Sequence, residues 1–147
     1  MKYKHTNIIA KDWRALVRFY EQVFGCVPVP PERSHSGKWL EDGTGVKGAE
    51  LAGLHLRLPG WGESGPTLEI FSYGRNEPKA PPAANREGLA HIAFQVDDVA
   101  AVLQTVLDHG GSAIGTVVTR AVEGVGRLTF VYAADPEGNI IELQSQE

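Results

Sequence analysis

The sequence predicts an α+β fold of two tandem βαβββ modules that form a curved, mostly antiparallel sheet cavity. One observation is a repeat with a period of roughly 86 residues: residues 5–25 and 91–111 both run from a β-type segment through an acidic residue and an apolar helix to glycine. Another is that each half ends with a carboxylate inside an apolar run, Glu69 in the first and Glu142 in the second. Three strands after one helix give a sheet with one covered face and one face free to line a cavity.

The elements of the first half follow from apolar spacing and from residues typical of helix ends. Residues 3–9 are predicted as a strand, and Asp12 is a favourable N-cap for a helix with apolar residues at helical spacing. Gly25 ends that helix as a left-handed C-terminal residue. The rest of this half is predicted as a Pro- and Gly-rich loop at 28–48 with a short strand at 38–40, a strand at 49–58, a turn at 59–66 and a strand at 67–73.

The second half is shorter, and its elements follow the same order. Residues 89–96 are predicted as a strand, and Asp98 caps a helix that runs to about residue 109 and stops at Gly110-Gly111. Strands are predicted near 113–119, 127–133 and 140–144, with a turn at Asp135–Asn139 before the last one. The chain is therefore expected to be a single domain over 1–147, with module one at about 1–76, a linker at about 77–87 and module two at about 88–147.

Composition excludes several classes of function. The chain has 147 residues, 42% of them hydrophobic, and a net charge of -4 without a basic patch, so nucleic acid is not an expected partner. No apolar run approaches the roughly 18 residues of a membrane span, and the N-terminus leaves no room for a signal peptide before the first strand. The single cysteine, Cys26, excludes an internal disulfide, fits a reducing cytoplasm, and is expected to be a small apolar residue rather than a nucleophile.

Two residue types that are hard to bury occupy matched positions in both halves. His5 and His91 lie on the first strands, and Glu69 and Glu142 lie on the last strands. Because the pattern repeats, we expect the two halves to build one site together. The other histidines, at positions 35, 55 and 109, have no such counterparts, and surface or edge roles are expected for them.

The phrases Gly88–Asp98 (GLAHIAFQVDD) and Asp135–Leu143 (DPEGNIIEL), within a duplicated βαβββ frame, resemble the glyoxalase, bleomycin-resistance and extradiol-dioxygenase superfamily, also called the vicinal oxygen chelate proteins. The resemblance covers nearly the whole chain. It implies metal ligands on the first and last strands of each module, which correspond to His5, Glu69, His91 and Glu142. Two neutral and two anionic ligands suit a divalent ion, with nickel, cobalt or zinc favoured and iron or manganese also open.

The resemblance also implies a reaction type, which is proton transfer next to a carbonyl. Glu142 corresponds to the base in related enzymes, and Glu69 is the candidate for a second base; a role for Glu50 is left open. In ligand identity the chain is most similar to glyoxalase I-like lyases and to methylmalonyl-CoA epimerase-like isomerases. Glyoxalase I usually has an Arg and an Asn for glutathione where this chain has Ile9 and Tyr73, so the substrate is expected to be another small carbonyl compound or thioester.

Two other functions are compatible with the same fold. One is a small-molecule-binding or resistance protein that sequesters its ligand, and the other is an extradiol-type dioxygenase, which needs iron and a catechol. Relatives commonly cover their open sheet edges by association, so a homodimer is expected. Neither the identity of the substrate nor the choice between a cavity within one chain and one across a dimer follows from the sequence.

Overall fold

The computed structural model of the chain describes residues 1–124 and 126–147, and it confirms the α+β class. The chain divides into two compact units, Met1–Pro78 and Lys79–Glu147. Each unit contains one mixed sheet with a helix packed on it. Within the described residues, no helix is both long and apolar enough to cross a bilayer.

The first unit is a four-stranded sheet in the order β1-β4-β3-β2. Its first and last strands, β1 and β4, are parallel neighbours, whereas β2–β3 and β3–β4 are antiparallel. β4 therefore lies between β1 and β3. The elements are β1 (His5–Ile9), α1 (Trp13–Phe24), β2 (Val27–Ser36), α2 (Lys38–Thr44), β3 (Glu50–Arg57) and β4 (Thr67–Tyr73).

The second unit repeats this arrangement in a five-stranded sheet of order β5-β9-β8-β6, with β7 also paired to β8. Here too the first and last strands, β5 and β9, are parallel, and the remaining pairs are antiparallel. The strand predicted near 113–119 is instead two shorter ones on either side of Gly115. The elements are β5 (Ile92–Gln95), α3 (Val99–Asp108), β6 (Ser112–Ala113), β7 (Val118–Val122), β8 (Gly126–Ala134) and β9 (Ile140–Gln146).

The helix ends are those the sequence predicts. The side chain of Asp12 accepts a hydrogen bond from the backbone N–H of Ala15 at 3.0 Å, and Asp98 accepts one from Ala101 at 3.0 Å. Each carboxylate thus satisfies one of the free N–H groups at a helix start. Gly25 has φ 65°, the left-handed conformation expected at the end of α1.

The core of the first unit lies between α1 and one face of its sheet. Leu56 on β3 and Leu68 and Ile70 on β4 are at most 1% exposed, and α1 contacts both strands. Since successive side chains on a strand point to opposite faces, Thr67, Glu69 and Phe71 lie on the face away from the helix. In the second unit, Ile141 and Leu143 are fully buried, so Glu142 between them lies on the face away from α3.

Residues 28–48 correct the sequence analysis, which predicted a loop with a short strand at 38–40. Most of this segment belongs to the edge strand β2 and to the helix α2. Prolines are tolerated in β2 because it is an edge strand, and its pairing with β3 shifts register between Val29 and Arg33. The glycines that indicated a loop lie at the helix ends instead: Gly37 at the start of α2 and Gly45, with φ 72°, at its end.

The turn before β9 is confirmed, and it fixes where that strand begins. Asp135 is 2% exposed, and its carboxylate accepts hydrogen bonds from the backbone N–H groups of Glu137 at 3.0 Å and Asn139 at 2.9 Å. The side-chain amide of Asn139 donates to the same carboxylate at 2.7 Å. The turn is thereby held in one conformation just before the strand that contains Glu142.

Candidate functional site

The first unit brings one carboxylate between two neighbouring strands. Glu69 on β4 lies directly across from Asn7 on β1 and directly across from His55 on β3. Directly opposed residues in a sheet point to the same face, so all three side chains lie on the face away from α1. His5, two residues before Asn7, lies on this face as well.

Each oxygen of Glu69 has partners. Oε1 lies 3.3 Å from Nδ1 of His5 and 3.0 Å from Nε2 of His55. Oε2 accepts a hydrogen bond from Nδ2 of Asn7 at 3.3 Å. The side chain of Glu69 is 13% exposed and that of His5 is 41% exposed, so the carboxylate is the inner member and the histidine the outer.

His55 is the residue that the sequence analysis missed. It was expected to have an edge role, yet its ring contacts Glu69, and its Nδ1 lies 3.3 Å from the hydroxyl of Thr67. The signal that finds it is hairpin symmetry, because residues equidistant from the turn between β3 and β4 pair across the ladder, and His55 pairs with Glu69.

The surroundings of His55 favour its neutral form. Burial lowers the pKa of His55, and the nearby Arg33, His5 and Lys4 lower it further, against the opposing effect of Glu69. A neutral imidazole has one N–H, and a carboxylate only accepts hydrogen bonds. A hydrogen bond across the 3.0 Å contact between His55 and Glu69 therefore needs this N–H at Nε2.

The second unit contains the matching pair. Nε2 of His91 lies 3.0 Å from Oε2 of Glu142, and their side chains are 28% and 17% exposed. The residue directly across from Glu142 on β8 is Tyr132, the counterpart of His55 in the first unit. On the other side, Ala93 of β5 opposes Glu142.

The two pairs have the same register. In the first unit Asn7 opposes Glu69, and His5 lies two residues before Asn7. In the second unit Ala93 opposes Glu142, and His91 lies two residues before Ala93. We call His5 with Glu69 the first pair and His91 with Glu142 the second pair. The same diagonal offset brings an imidazole nitrogen to a carboxylate oxygen in both units, through Nδ1 of His5 in the first and Nε2 of His91 in the second.

The chemistry of each pair fits a divalent metal ion. Two ligands each about 2.1 Å from a common ion are roughly 3.0 to 3.4 Å apart, and the N–O distances in the pairs are 3.3 and 3.0 Å. Within residues 1–124 and 126–147, no group of three or more His, Cys, Asp or Glu side chains is arranged to hold a metal ion. The first unit places two imidazoles, of His5 and His55, beside one carboxylate, and the second unit places one imidazole beside one carboxylate.

Other candidate residues lie at various distances from the pairs. Glu50 is exposed at the start of β3 and opposes Ser36, five positions or roughly 17 Å along the strand from His55. Ile9 and Tyr73 each lie four residues after a member of the first pair, hence on the same sheet face, and Ile9 is 41% exposed.

The chain consists of two units that each begin with a strand and a helix and end with further strands. In each unit a His–Glu contact joins the start of the first strand to the last strand; His91 directly precedes β5, which is shorter than the strand predicted at 89–96. Residues 2–143 match the family sequence model of the Glyoxalase/Bleomycin resistance protein/Dioxygenase superfamily. The chain therefore belongs to this superfamily. The resemblance inferred from the sequence is confirmed. No curated protein gives a significant match to the chain.

Several solved structures share the fold. A glyoxalase family protein from Bacillus cereus is 18% identical, with a TM-score of 0.75 over 99% of this chain and 93% of that one. A glyoxalase family protein from Enterococcus faecalis is 24% identical, with a TM-score of 0.59 over 97% and 96%. A glyoxalase/bleomycin resistance protein/dioxygenase family enzyme from Burkholderia phytofirmans is 14% identical, with a TM-score of 0.60 over 98% of both chains.

Proposed function

We propose that this protein is a metal-dependent lyase or isomerase that moves a proton next to a carbonyl group of a small molecule or thioester. The observation that supports it is the matched register of the two His–Glu pairs in the two units. The residue types that recur at this offset, imidazole and carboxylate, are ones that divalent ions use as ligands.

In this proposal His5, Glu69, His91 and Glu142 bind one divalent ion, with nickel, cobalt or zinc favoured. Two imidazoles and two carboxylates suit these ions, and the N–O spacing of each pair suits two ligands of a common ion. The bound ion would polarise the substrate oxygens next to the carbon that loses its proton. The proposal requires both pairs to act on the same ion, either within one chain or across a dimer.

Glu142 is the proposed base. Among the described residues its side chain makes a polar contact with His91, and it is 17% exposed, so its carboxylate keeps lone pairs available for a substrate proton. Glu69 accepts a hydrogen bond from Asn7 and lies within 3.3 Å of ring nitrogens of His5 and His55, so fewer of its lone pairs are available. Glu69 is therefore proposed first as a ligand, and as a second base only for a substrate that needs proton transfer on both faces.

The proposed substrate is not a glutathione adduct. Ile9 and Tyr73 lie on the face of the first pair, where glutathione-specific relatives place an Arg and an Asn. An aliphatic side chain offers no hydrogen bonds to a glutathione carboxylate.

A homodimer that covers open sheet edges and a cytoplasmic location belong to the same proposal; a lone, buried, unpaired cysteine supports the location.

A binding or resistance protein is the second candidate. The observation that favours it is that Glu69 already has a protein partner for each of its oxygens. Such a protein would take up its ligand on the same sheet faces without any reaction.

Metal uptake followed by proton exchange separates the two candidates. Protein stripped with a chelator should bind about one nickel, cobalt or zinc ion per chain. The double variant His5→Ala, His91→Ala should lose this binding, whereas His109→Ala, at the exposed end of α3, should retain it. Metal-loaded protein should then exchange a carbon-bound proton of its substrate into deuterated water. Unchanged metal affinity in the double variant would contradict the ligand assignment, and ligand binding without exchange would favour the second candidate.

A further inference from the structure

The two carboxylates of the pairs have different neighbours, and His55 makes the difference. Glu69 faces the imidazole of His55, whereas Glu142 faces the phenol ring of Tyr132 at the equivalent position. We infer that His55 is a positioning residue that holds Glu69 through an Nε2–H hydrogen bond, so that Glu69 serves as a fixed ligand and proton transfer is left to Glu142. This inference rests on the proposed function.

The contact between His55 and Glu69 determines which nitrogen of His55 must carry a proton. Glu69 only accepts, so the contact of 3.0 Å between its Oε1 and Nε2 of His55 requires a proton on Nε2. Nδ1 of His55 lies 3.3 Å from the Thr67 hydroxyl, which can donate to it or accept from it. The constraint on the His55 proton thus comes from Glu69, because the Thr67 hydroxyl is compatible with either tautomer.

The ring of His55 is also held by packing. The ring of Phe71 meets that of His55 edge-on, with centroids 5.8 Å apart and an interplanar angle of 88°. Phe71 can lie there because Gly53 has no side chain: a Cβ at Gly53 would collide with the Phe71 ring and with the carbonyl oxygen of Ile70. Phe71 is 7% exposed, so this support is itself fixed in place.

The bond from His55 is separable from the contact between Glu69 and His5. His55 approaches from β3 and His5 from β1, on opposite sides of β4. If Glu69 turns toward an ion that His5 also binds, His55 on β3 can still donate a hydrogen bond to it. Hydrogen bonds that orient a ligating carboxylate are typically worth about 10- to 100-fold in metal affinity.

Two substitutions at one position separate the hydrogen bond from the ring. His55→Gln places an amide N–H near the position of Nε2, whereas His55→Phe retains a ring of similar size and has no donor. Both variants are first checked for fold by circular dichroism and thermal unfolding. Zinc affinity is then measured by calorimetry, and cobalt spectra report the ligand field. In the metal-free wild type, ¹⁵N NMR reports the tautomer of His55.

We expect His55→Phe to weaken zinc binding by about 10- to 100-fold and to change the cobalt spectrum, while His55→Gln recovers most of the loss. We expect the Nε2–H tautomer in the wild type. A wild-type Nδ1–H tautomer, equal affinity of His55→Phe and wild type, or a Gln variant as weak as the Phe variant would each overturn the role of His55 alone. A wild type that takes up no metal would instead overturn the proposed function on which the inference rests.

Discussion

The ring of Tyr132 lies 4.9 Å from the ring of His91, centroid to centroid, with 37° between the planes. Tyr132 therefore supports the imidazole of the second pair, whereas its counterpart in the first unit, His55, contacts the carboxylate. A packed ring fixes the orientation of His91 without occupying either oxygen of Glu142. The equivalent sheet position thus contacts only the imidazole ring of the pair in the second unit, whereas in the first unit it contacts the carboxylate and the edge of the His5 ring.

Replacing the ring of Tyr132 should loosen His91. Tyr132→Leu is expected to lower the free energy of unfolding by about 1 kcal/mol, the size of an aromatic pair contribution, and to weaken metal binding. Tyr132→Phe retains the ring and should behave like the wild type in both respects. Urea unfolding and zinc titration measure the two effects. Equal damage from both substitutions would mean that the hydroxyl, rather than the ring, is what matters.

Removing the base should stop proton exchange without unfolding the protein. Glu142→Gln is expected to lower the exchange rate on the true substrate by about 10²- to 10⁴-fold, the range for general acid–base catalysis. The measurement is loss of the substrate proton signal by NMR in deuterated water, with the melting temperature recorded in parallel. Glu63→Gln, in the exposed turn before β4, is the matched control and should exchange at the wild-type rate. Full exchange by Glu142→Gln would transfer the role of base to another residue.

Glutathione hemithioacetals should be poor substrates because Ile9 offers no partner to a carboxylate. A charge-assisted contact is worth roughly 1.5 to 3 kcal/mol, so Ile9→Arg is expected to raise kcat/KM for methylglyoxal with glutathione by about ten- to a hundredfold. Ile9→Leu serves as the size control and should change little. A wild-type kcat/KM near 10⁷ M⁻¹s⁻¹, approaching the diffusional ceiling, would identify the chain as a true glyoxalase I and refute this prediction.

Cys26 should be inert in the folded protein. Burial raises the pKa of Cys26 to about 12, with Glu21 adding to the effect, so almost no thiolate is present at pH 8. An aromatic disulfide reagent should label the thiol only after unfolding in guanidinium. Between about pH 9 and 12 the unfolded chain loses this proton whereas the folded protein keeps it, so stability falls as pH rises, by about 1.4 kcal/mol per unit. Cys26→Ala should reduce that slope; labelling of the native protein at pH 8 would contradict the assignment.

The open edges of the sheets predict a homodimer. Sedimentation at micromolar concentration should give about twice the chain mass of 15.9 kDa. If the dimer completes the metal site, addition of zinc should tighten association, because an ion bound by two chains favours the dimer by mass action. Sedimentation as a monomer with and without metal would rule the dimer out.

The features of the fold that depend on local chemistry could be predicted from the sequence. Asp12, Asp98 and Gly25 act at helix ends, where the residue type alone determines the preference. The turn at Asp135 is likewise set by hydrogen bonds within five residues.

Features that depend on strand register were harder to predict. His55 belongs with Glu69 only because the β3–β4 ladder pairs these two positions, and the residue itself has no distinguishing neighbour in the sequence. The strand β2 was hidden by its prolines, which an edge strand tolerates but local propensity does not favour. Placement of His5 beside Glu69 required no register estimate, since it came from the repeat and from family resemblance.

The position of β4 between β1 and β3, and of β9 between β5 and β8, has a consequence for how the chain assembles. His5 and Glu69 are 64 positions apart in the sequence, so the first pair closes a long segment of chain. The last strand of each module, β4 or β9, must insert between two strands that are synthesised before it. Contacts between residues so far apart in the sequence form late and slowly during folding. During synthesis, neither the first nor the second pair exists until its module is complete, so the proposed metal site is absent from the nascent chain.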